Sequence, residues 1–199
     1  IAHDPVLQFI APDIIDRTVD SLSSSPLDAI GLAFTSSSFK IGAHREQELL
    51  TRLATVSHGI KLDTTGTAAT AAIRKLGLKK IAIMAPSWFD DDLCRAGEAY
   101  FLDQGIDIIS ATPSGPTGGP LTITPAATAA AVEELVAATG AQAVFVAGNG
   151  QRAIGAIDHL ESMLGITMLT ANQVLLWSSL DGTDLRSRVR GYGCLFDAG

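Results

Sequence analysis

Short apolar runs recur along the chain, DAIGLAF (28–34), KKIAIMAP (79–86), IDIISA (106–111), AQAVFVA (141–147) and ITML (166–169), each with almost no polar alternation. A strand facing water on one side alternates polar and apolar residues, so strands without that pattern must be covered on both faces. Segments of helical period separate the runs. The alternation therefore predicts an α/β protein with a mainly parallel sheet flanked by helices, and places ligands at the carboxyl ends of the strands.

The helical segments carry their own signals. PDIIDRTVDSL (12–22) has Ile14, Ile15, Val19 and Leu22 at helical spacing, and residues 43–57 place Leu49, Leu50, Leu53 and Val56 on one face. A short strand at KLD (61–63) leads into TGTAATAAIRKLG (65–77), which stops at Gly77; residues 90–105 open a helix with acidic residues suited to its dipole. PAATAAAVEELVAATG (125–140) starts at Pro and ends at Gly, residues 150–165 read as helix directly after the AGNG turn, and a last helix spans about 171–180. TPSGPTGGPLTIT (112–124) is a Pro/Gly/Thr loop able to fold over a site.

With 199 residues, 47% of them hydrophobic, the chain suffices for one domain or two small halves. A formal charge of −7, with Lys and Arg scattered, gives no footprint for nucleic acid or an anionic membrane. A small anion is not excluded, because local N–H and hydroxyl donors can hold one. Cys94 and Cys194 are far apart and lack metal or redox spacing, no apolar run reaches membrane-spanning length, and the opening IAHDPVLQFI lacks signal-peptide features. A cytoplasmic protein is the expectation.

Two strand ends qualify as sites. AFTSSSFKIG (33–42) carries four consecutive hydroxyl residues, Thr35, Ser36, Ser37 and Ser38, and AGNG (147–150) offers Gly148, Asn149 and Gly150. Both offer short side chains and backbone N–H groups at a strand-to-helix junction, which suits a carboxylate or phosphate and equally suits a simple cap. GNGQRA also fits the G-x-G-x-x-G/A dinucleotide pattern, but the chain is nearly finished there and the later strand and acidic residue are missing. Asp63-Thr64-Thr65 reads as a helix cap. Asp90, Asp91 and Asp92 read as a solvated helix start rather than a metal site, and His3, His44, His58 and His159 form no triad or ligand spacing.

Taken in order, several segments resemble the aspartate/glutamate racemase superfamily, within it the arylmalonate decarboxylase and maleate isomerase branch. FTSSSFKIG resembles that branch's C/G-T-S-x-S-F segment, TTGTAATAAIRKLGLKKIAIMAP its T-T-x-x-T-A helix and strand, and FDDDLCRAGEAYFLDQG its Y-x-D-E-V-N-like helix. GNGQRAIGAIDHLESMLG is similar to S-C-x-G-L-R-T-L-D-x-I, TANQVLLW to S-S-N-Q-A-L-L-W, and GYGCLFDAG to the terminal G-Y-G-x-L-F-D.

The resemblance implies two similar halves, each a mainly parallel four-stranded sheet flanked by helices, residues 1–65 with 171–199 and residues 66–170, with the active site in the cleft between them. It implies cofactor-free chemistry, with no metal, in which cleft cysteines move protons next to a carboxylate and an anion nest holds the resulting enediolate. It puts Phe34 and Gly148 at the two cysteine positions, neither able to transfer a proton, and leaves the catalytic acid unknown. The implied substrate-binding residues are Thr35, Ser36, Ser37, Phe89, Gly148, Asn149 and Gly150. The branch's tyrosine falls within Ser87-Trp88-Phe89, and its opening strand has no counterpart ahead of Ile1, from an incomplete N-terminus or a remodelled first half. The expected partner is a small carboxylate, with self-association left open. The competing readings are a silent carboxylate-binding relative, a racemase of an amino acid or hydantoin, and a hydrolase or hydratase using Ser37 or Ser38.

Overall fold

The computed structural model describes residues 4–197. Asp4 caps a short helix α1 (Pro5–Phe9), not anticipated above, and α2 (Pro12–Leu22) follows, again with Pro in its first turn. Then come β1 (Ala29–Leu32), α3 (Thr35–Ala54), β2 (Lys61–Thr64), α4 (Thr65–Lys75), β3 (Ile81–Met84), α5 (Asp91–Leu102) and β4 (Ile108–Thr112). α6 (Pro125–Thr139), β5 (Ala143–Val146), α7 (Ile157–Leu164), β6 (Thr167–Thr170) and α8 (Ala171–Ser179) complete the regular elements apart from short 3-10 turns.

β3 to β6 form one parallel sheet in the order β4-β3-β5-β6. The build-up of the sheet reverses between β3 and β5, and in folds of this class ligands sit outside the carboxyl ends of the strands at such a switch point, here beside Ala85-Pro86 and Ala147-Gly148. Ile81 and Ile83 face the core shared with α4, α5 and α8, while Ala82 and Met84 face the core under α6 and α7. Burial on both faces is why these strands lack polar alternation. The parallel α/β class is as expected, but one count is not: among the described residues the first half's sheet has two parallel strands, β1 and β2, rather than four. Residues 5–22, ahead of β1, are helical or turn and add no strand.

α3 is two helices in one. Gly42 sits at φ 75° and bends it, so the hydroxyl run forms the first helical turn instead of a loop before a helix at 43. Conversely, the helix expected over 150–165 starts late, because a turn at Gly148–Gln151 and a 3-10 turn at Ile154–Ala156 intervene before α7. β2 passes into α4, and β6 into α8, with no intervening residue. Each joint is a reciprocal capping box, Thr64 with Thr67 and Thr170 with Gln173. Thr64, not Asp63, is therefore the cap; the Asp63 carboxylate accepts from the Thr64 N–H and from the hydroxyls of Thr67 and Ser178, tying α4 to α8.

Between α3, α4 and α5 lies a buried carboxyl. Glu46 is 1% exposed, accepts a hydrogen bond from the Tyr100 hydroxyl through Oε2, and leaves Oε1 without a partner. Burial pushes its carboxyl up from the ordinary 4.5, neighbouring hydroxyls offsetting only part of this. A raised folded-state value means the native protein keeps a proton that the unfolded chain releases. This group's stabilising contribution is therefore complete below 4.5 and is lost as pH rises through the raised value. Glu46→Gln, which cannot ionise, is expected to flatten the fall in stability as pH rises above 4.5. Urea denaturation of both proteins across that range checks it, and equal slopes would refute it.

Candidate functional site

The hydroxyl run and the AGNG turn meet. Asn149 Oδ1 accepts from the Thr35 backbone N–H at 2.9 Å and from the Thr35 hydroxyl at 2.9 Å, with the Thr65 hydroxyl at 3.3 Å. Thr35 Oγ1 in turn accepts from the Gly148 N–H at 3.3 Å. On the other side of the amide, Asn149 Nδ2 donates to Asn172 Oδ1 at 3.0 Å and to Thr65 Oγ1 at 3.2 Å, and Asn172 Nδ2 returns a bond to the Asn149 carbonyl at 3.0 Å.

Thr35 opens α3, Thr65 opens α4 and Asn172 lies in the first turn of α8. Three helix N-termini thus lie around one carboxamide, α3 and α4 donating to its oxygen and α8, through Asn172, accepting from its nitrogen. The helix after the AGNG turn does not take part, since α7 begins only at Ile157. That corrects the expectation that both turns open directly onto helices. Thr65 and Asn172 were not among the expected site residues.

The walls around this nest are apolar. Gly148 sits at φ 82°, and a Cβ placed there would lie 2.5 Å from Pro86 Cγ and 3.9 Å from Phe89 Cε1. Phe89 is buried, whereas Trp88 is exposed and packs towards Gly150. Phe34 meets Phe9 of α1 edge-on, ring centroids 4.9 Å apart. The 112–124 loop does fold over the turn: a Cβ at Gly150 would meet Pro120 Cγ at 3.0 Å, and the Gly115 N–H bonds the Ala85 carbonyl. Beneath it Gln151 is buried with neither end of its carboxamide paired among the described residues.

The remaining candidates have structural jobs or none at the nest. Ser36 and Ser37 are buried, and the Ser37 hydroxyl donates to the Phe34 carbonyl at 2.8 Å. Ser38 is enclosed without a partner. His44 and His58 are exposed beside Glu48 and Asp20, and His159 is exposed, so no described histidine serves Ser37 or Ser38 as a base. His3 lies outside the described residues. Asp90 caps α5 through the Leu93 N–H, and Arg95 pairs with Asp92. Among the described residues no group of three or more His, Cys, Asp or Glu is placed to hold a metal.

Neither thiol is activated. Burial raises Cys94, and burial beside Glu161 pushes Cys194 up to about 11. The terminal GYGC segment is a latch: the Gly193 and Cys194 N–H groups bond Asp158 and Glu161 at 2.7 and 2.8 Å, and Gln173 reaches the Tyr192 carbonyl at 2.6 Å. What the nest can do chemically is hold an oxygen anion with N–H and hydroxyl donors, next to an apolar wall. Among the described residues no ionisable side chain hydrogen-bonds within it.

A protein-family model described as arylmalonate decarboxylase matches residues 10–196. No curated protein matches in sequence. Among solved structures, arylmalonate decarboxylase superposes with a TM-score of 0.83 at 20% identity, over 100% of this chain and 86% of that one. The Nocardia farcinica maleate cis-trans isomerase bound to TRIS gives 0.81 at 18% identity, over 98% of this chain and 80% of that one. The maleate isomerase of Pseudomonas putida S16 with maleate gives 0.74 at 22% identity, over 92% of this chain and 75% of that one. At these identities the structural likeness concerns the fold.

Proposed function

The chain belongs to the arylmalonate decarboxylase family, and from that premise we propose that it holds a small arylmalonate- or maleate-like carboxylate at the Asn149 turn and acts on it by decarboxylation or isomerisation. The observation that carries this reading is the meeting of Thr35 and Thr65, at the N-termini of α3 and α4, on the single oxygen Asn149 Oδ1. Such a point favours negative charge, and most of all the charge that spreads onto a carboxylate when a neighbouring carbon becomes a carbanion. The cleft in this reading lies between residues 1–65 with 171–199 and residues 66–170.

For a malonate the step balances without a cofactor. The bond from Cα to one carboxylate breaks, CO₂ leaves, and the electron pair stays on Cα and the remaining carboxylate as an enediolate. Thr35, through its N–H and hydroxyl, and the Thr65 hydroxyl hold that charge, while Phe34, Pro86 and Phe89 exclude water from the departing carboxylate. The proton that completes Cα comes from a bound water in this scheme, because the positions that the family resemblance gives to cysteine are Phe34 and Gly148.

A second reading, a carboxylate-binding relative without turnover, is favoured by the lack, among the described residues, of any ionisable side chain hydrogen-bonded in the nest. One experiment separates them. Phenylmalonate, methylphenylmalonate, maleate, aspartate and glutamate are screened by thermal shift, with NMR in D₂O on each hit. Deuterium at Cα or loss of CO₂ supports the enzyme; binding alone supports the silent relative. In either case Thr35→Val is expected to weaken binding about tenfold or more, the usual worth of a hydrogen bond to a charged group. Unchanged binding in that variant would remove the nest from the reading.

A further inference from the structure

We propose that the Asn149 side chain is an internal occupant of the nest, seated where a ligand carboxylate goes and displaced when one binds. The inference rests on the carboxylate reading above. A carboxamide and a carboxylate share a planar shape and differ at one atom, so the position of Asn149 Oδ1 marks a carboxylate oxygen site. Its donors, the Thr35 N–H and hydroxyl at 2.9 Å and the Thr65 hydroxyl at 3.3 Å, are already spent on the protein itself. No external anion can use them while Asn149 stays in place.

The position of Nδ2 shows what else must move. A ligand's second oxygen there would compete with the first for the single Thr65 hydroxyl proton and would face Asn172 Oδ1, now bonded to Nδ2 at 3.0 Å. Two acceptors repel, so the exposed Asn172 side chain must swing away as Asn149 leaves, giving up its bond to the Asn149 carbonyl. The way out is open on that side. Asn149 is only half-buried and Asn172 is exposed, whereas Thr35 and Thr65 at the base of the seat are buried. Asn149 and Asn172 thus set the affinity of the site without contributing to the bound state, since a seat that is open in only about a tenth of molecules weakens apparent binding about tenfold.

The test titrates phenylmalonate and maleate into the wild type, Asn149→Ala and Asn172→Ala by calorimetry, with the side-chain amide of Asn149 followed by ¹⁵N NMR. Asn149→Ala vacates the seat and is expected to bind about tenfold tighter or more. Asn172→Ala removes both the anchor and the repelling oxygen and should also bind tighter, which keeps the test open if the first variant folds poorly. In the wild type the Asn149 amide protons should lose their protection from exchange on saturation with ligand. Weaker binding by either variant, or protection that persists in the complex, overturns the inference and leaves the carboxylate reading standing, with the amide as a ligand contact. Failure of all three proteins to bind either acid, with the fold intact, overturns the carboxylate reading itself and the inference with it.

Discussion

Cysteine introduced at Gly148 is expected to lower stability by about 2–5 kcal/mol, the sum of a non-glycine residue at positive φ and an overpacked contact. The backbone there is at φ 82°, where a Cβ is strained whatever the space, and the added atom would stand 2.5 Å from Pro86 Cγ. Pro86 has little freedom to retreat. It lies between the buried Ala85 and the turn that returns the Phe89 N–H to its own carbonyl, and the Gly115 loop is bonded to Ala85 from above. The variant is measured by urea denaturation beside Gly148→Ala, which carries the same Cβ without a thiol. Similar losses in both assign the cost to backbone and volume; an unchanged midpoint in Gly148→Cys would mean that the turn can host the side chain the family resemblance assigns to it, and would make the variant worth assaying for turnover.

Gly66→Ala is expected to cost about 2–4 kcal/mol, although alanine is the better helix former by about 1 kcal/mol. In α4 a Cβ at this position would meet Tyr100 Oη at 2.5 Å, Tyr100 Cζ at 2.7 Å and Ser38 Cβ at 2.8 Å. The tyrosine cannot yield easily: its hydroxyl is held by Glu46, and its ring packs edge-on against Phe101 with centroids 5.2 Å apart. Tyr100→Phe in the Gly66→Ala background removes the nearest atom but not the ring carbon, so only partial recovery is expected. A stabilised Gly66→Ala would show that α3, α4 and α5 can part at no cost. Because Ser38 is one turn beyond Thr35, movement there would also reach the nest.

The sheet was legible because burial on both faces leaves a plain mark: IAIM and AVFV carry no polar side chain to point outwards. The Pro125 start and Gly140 end of α6 and the acidic start of α5 were likewise readable from local chemistry. The start of α7 was not. Periodicity in residues 150–165 is genuine, yet Gly148 at positive φ and the turn after it spend several residues before a helix can begin. Two strands of the expected four in the first half have no counterpart among the described residues, since that expectation came from resemblance and not from apolar runs of this chain.

The residue types marked both turns, but only the resemblance, and no pattern in the chain, brought them together. Thr35 and Asn149 are 114 positions apart, and no periodicity connects them. Thr65 and Asn172 were hidden behind good local explanations, since each stands within two residues of a capping threonine whose role is complete without any ligand. Thr170-x-x-Gln173 fits the capping-box pattern outright, which is a reason to look at the N-terminus of that helix and not, by itself, a reason to place a ligand there.

The joints at Thr64–Thr65 and Thr170–Ala171 have a dynamic corollary. A strand that becomes a helix with no spare residue has no hinge, and each joint is cross-braced by its capping box and, through Asp63 and Ser178, to its neighbour. Two of the three helix ends that frame Asn149 therefore cannot breathe independently of their strands. In the carboxylate reading, adaptation to ligands of different size falls to the loop beyond Gly115 and to the side chains of Asn149 and Asn172. Amide hydrogen exchange should divide the site accordingly, slow at Thr67, Gln173 and Gly115 and fast at Thr117, Gly118 and Leu121, so that the proposed pocket behaves as a rigid socket with one pliable wall.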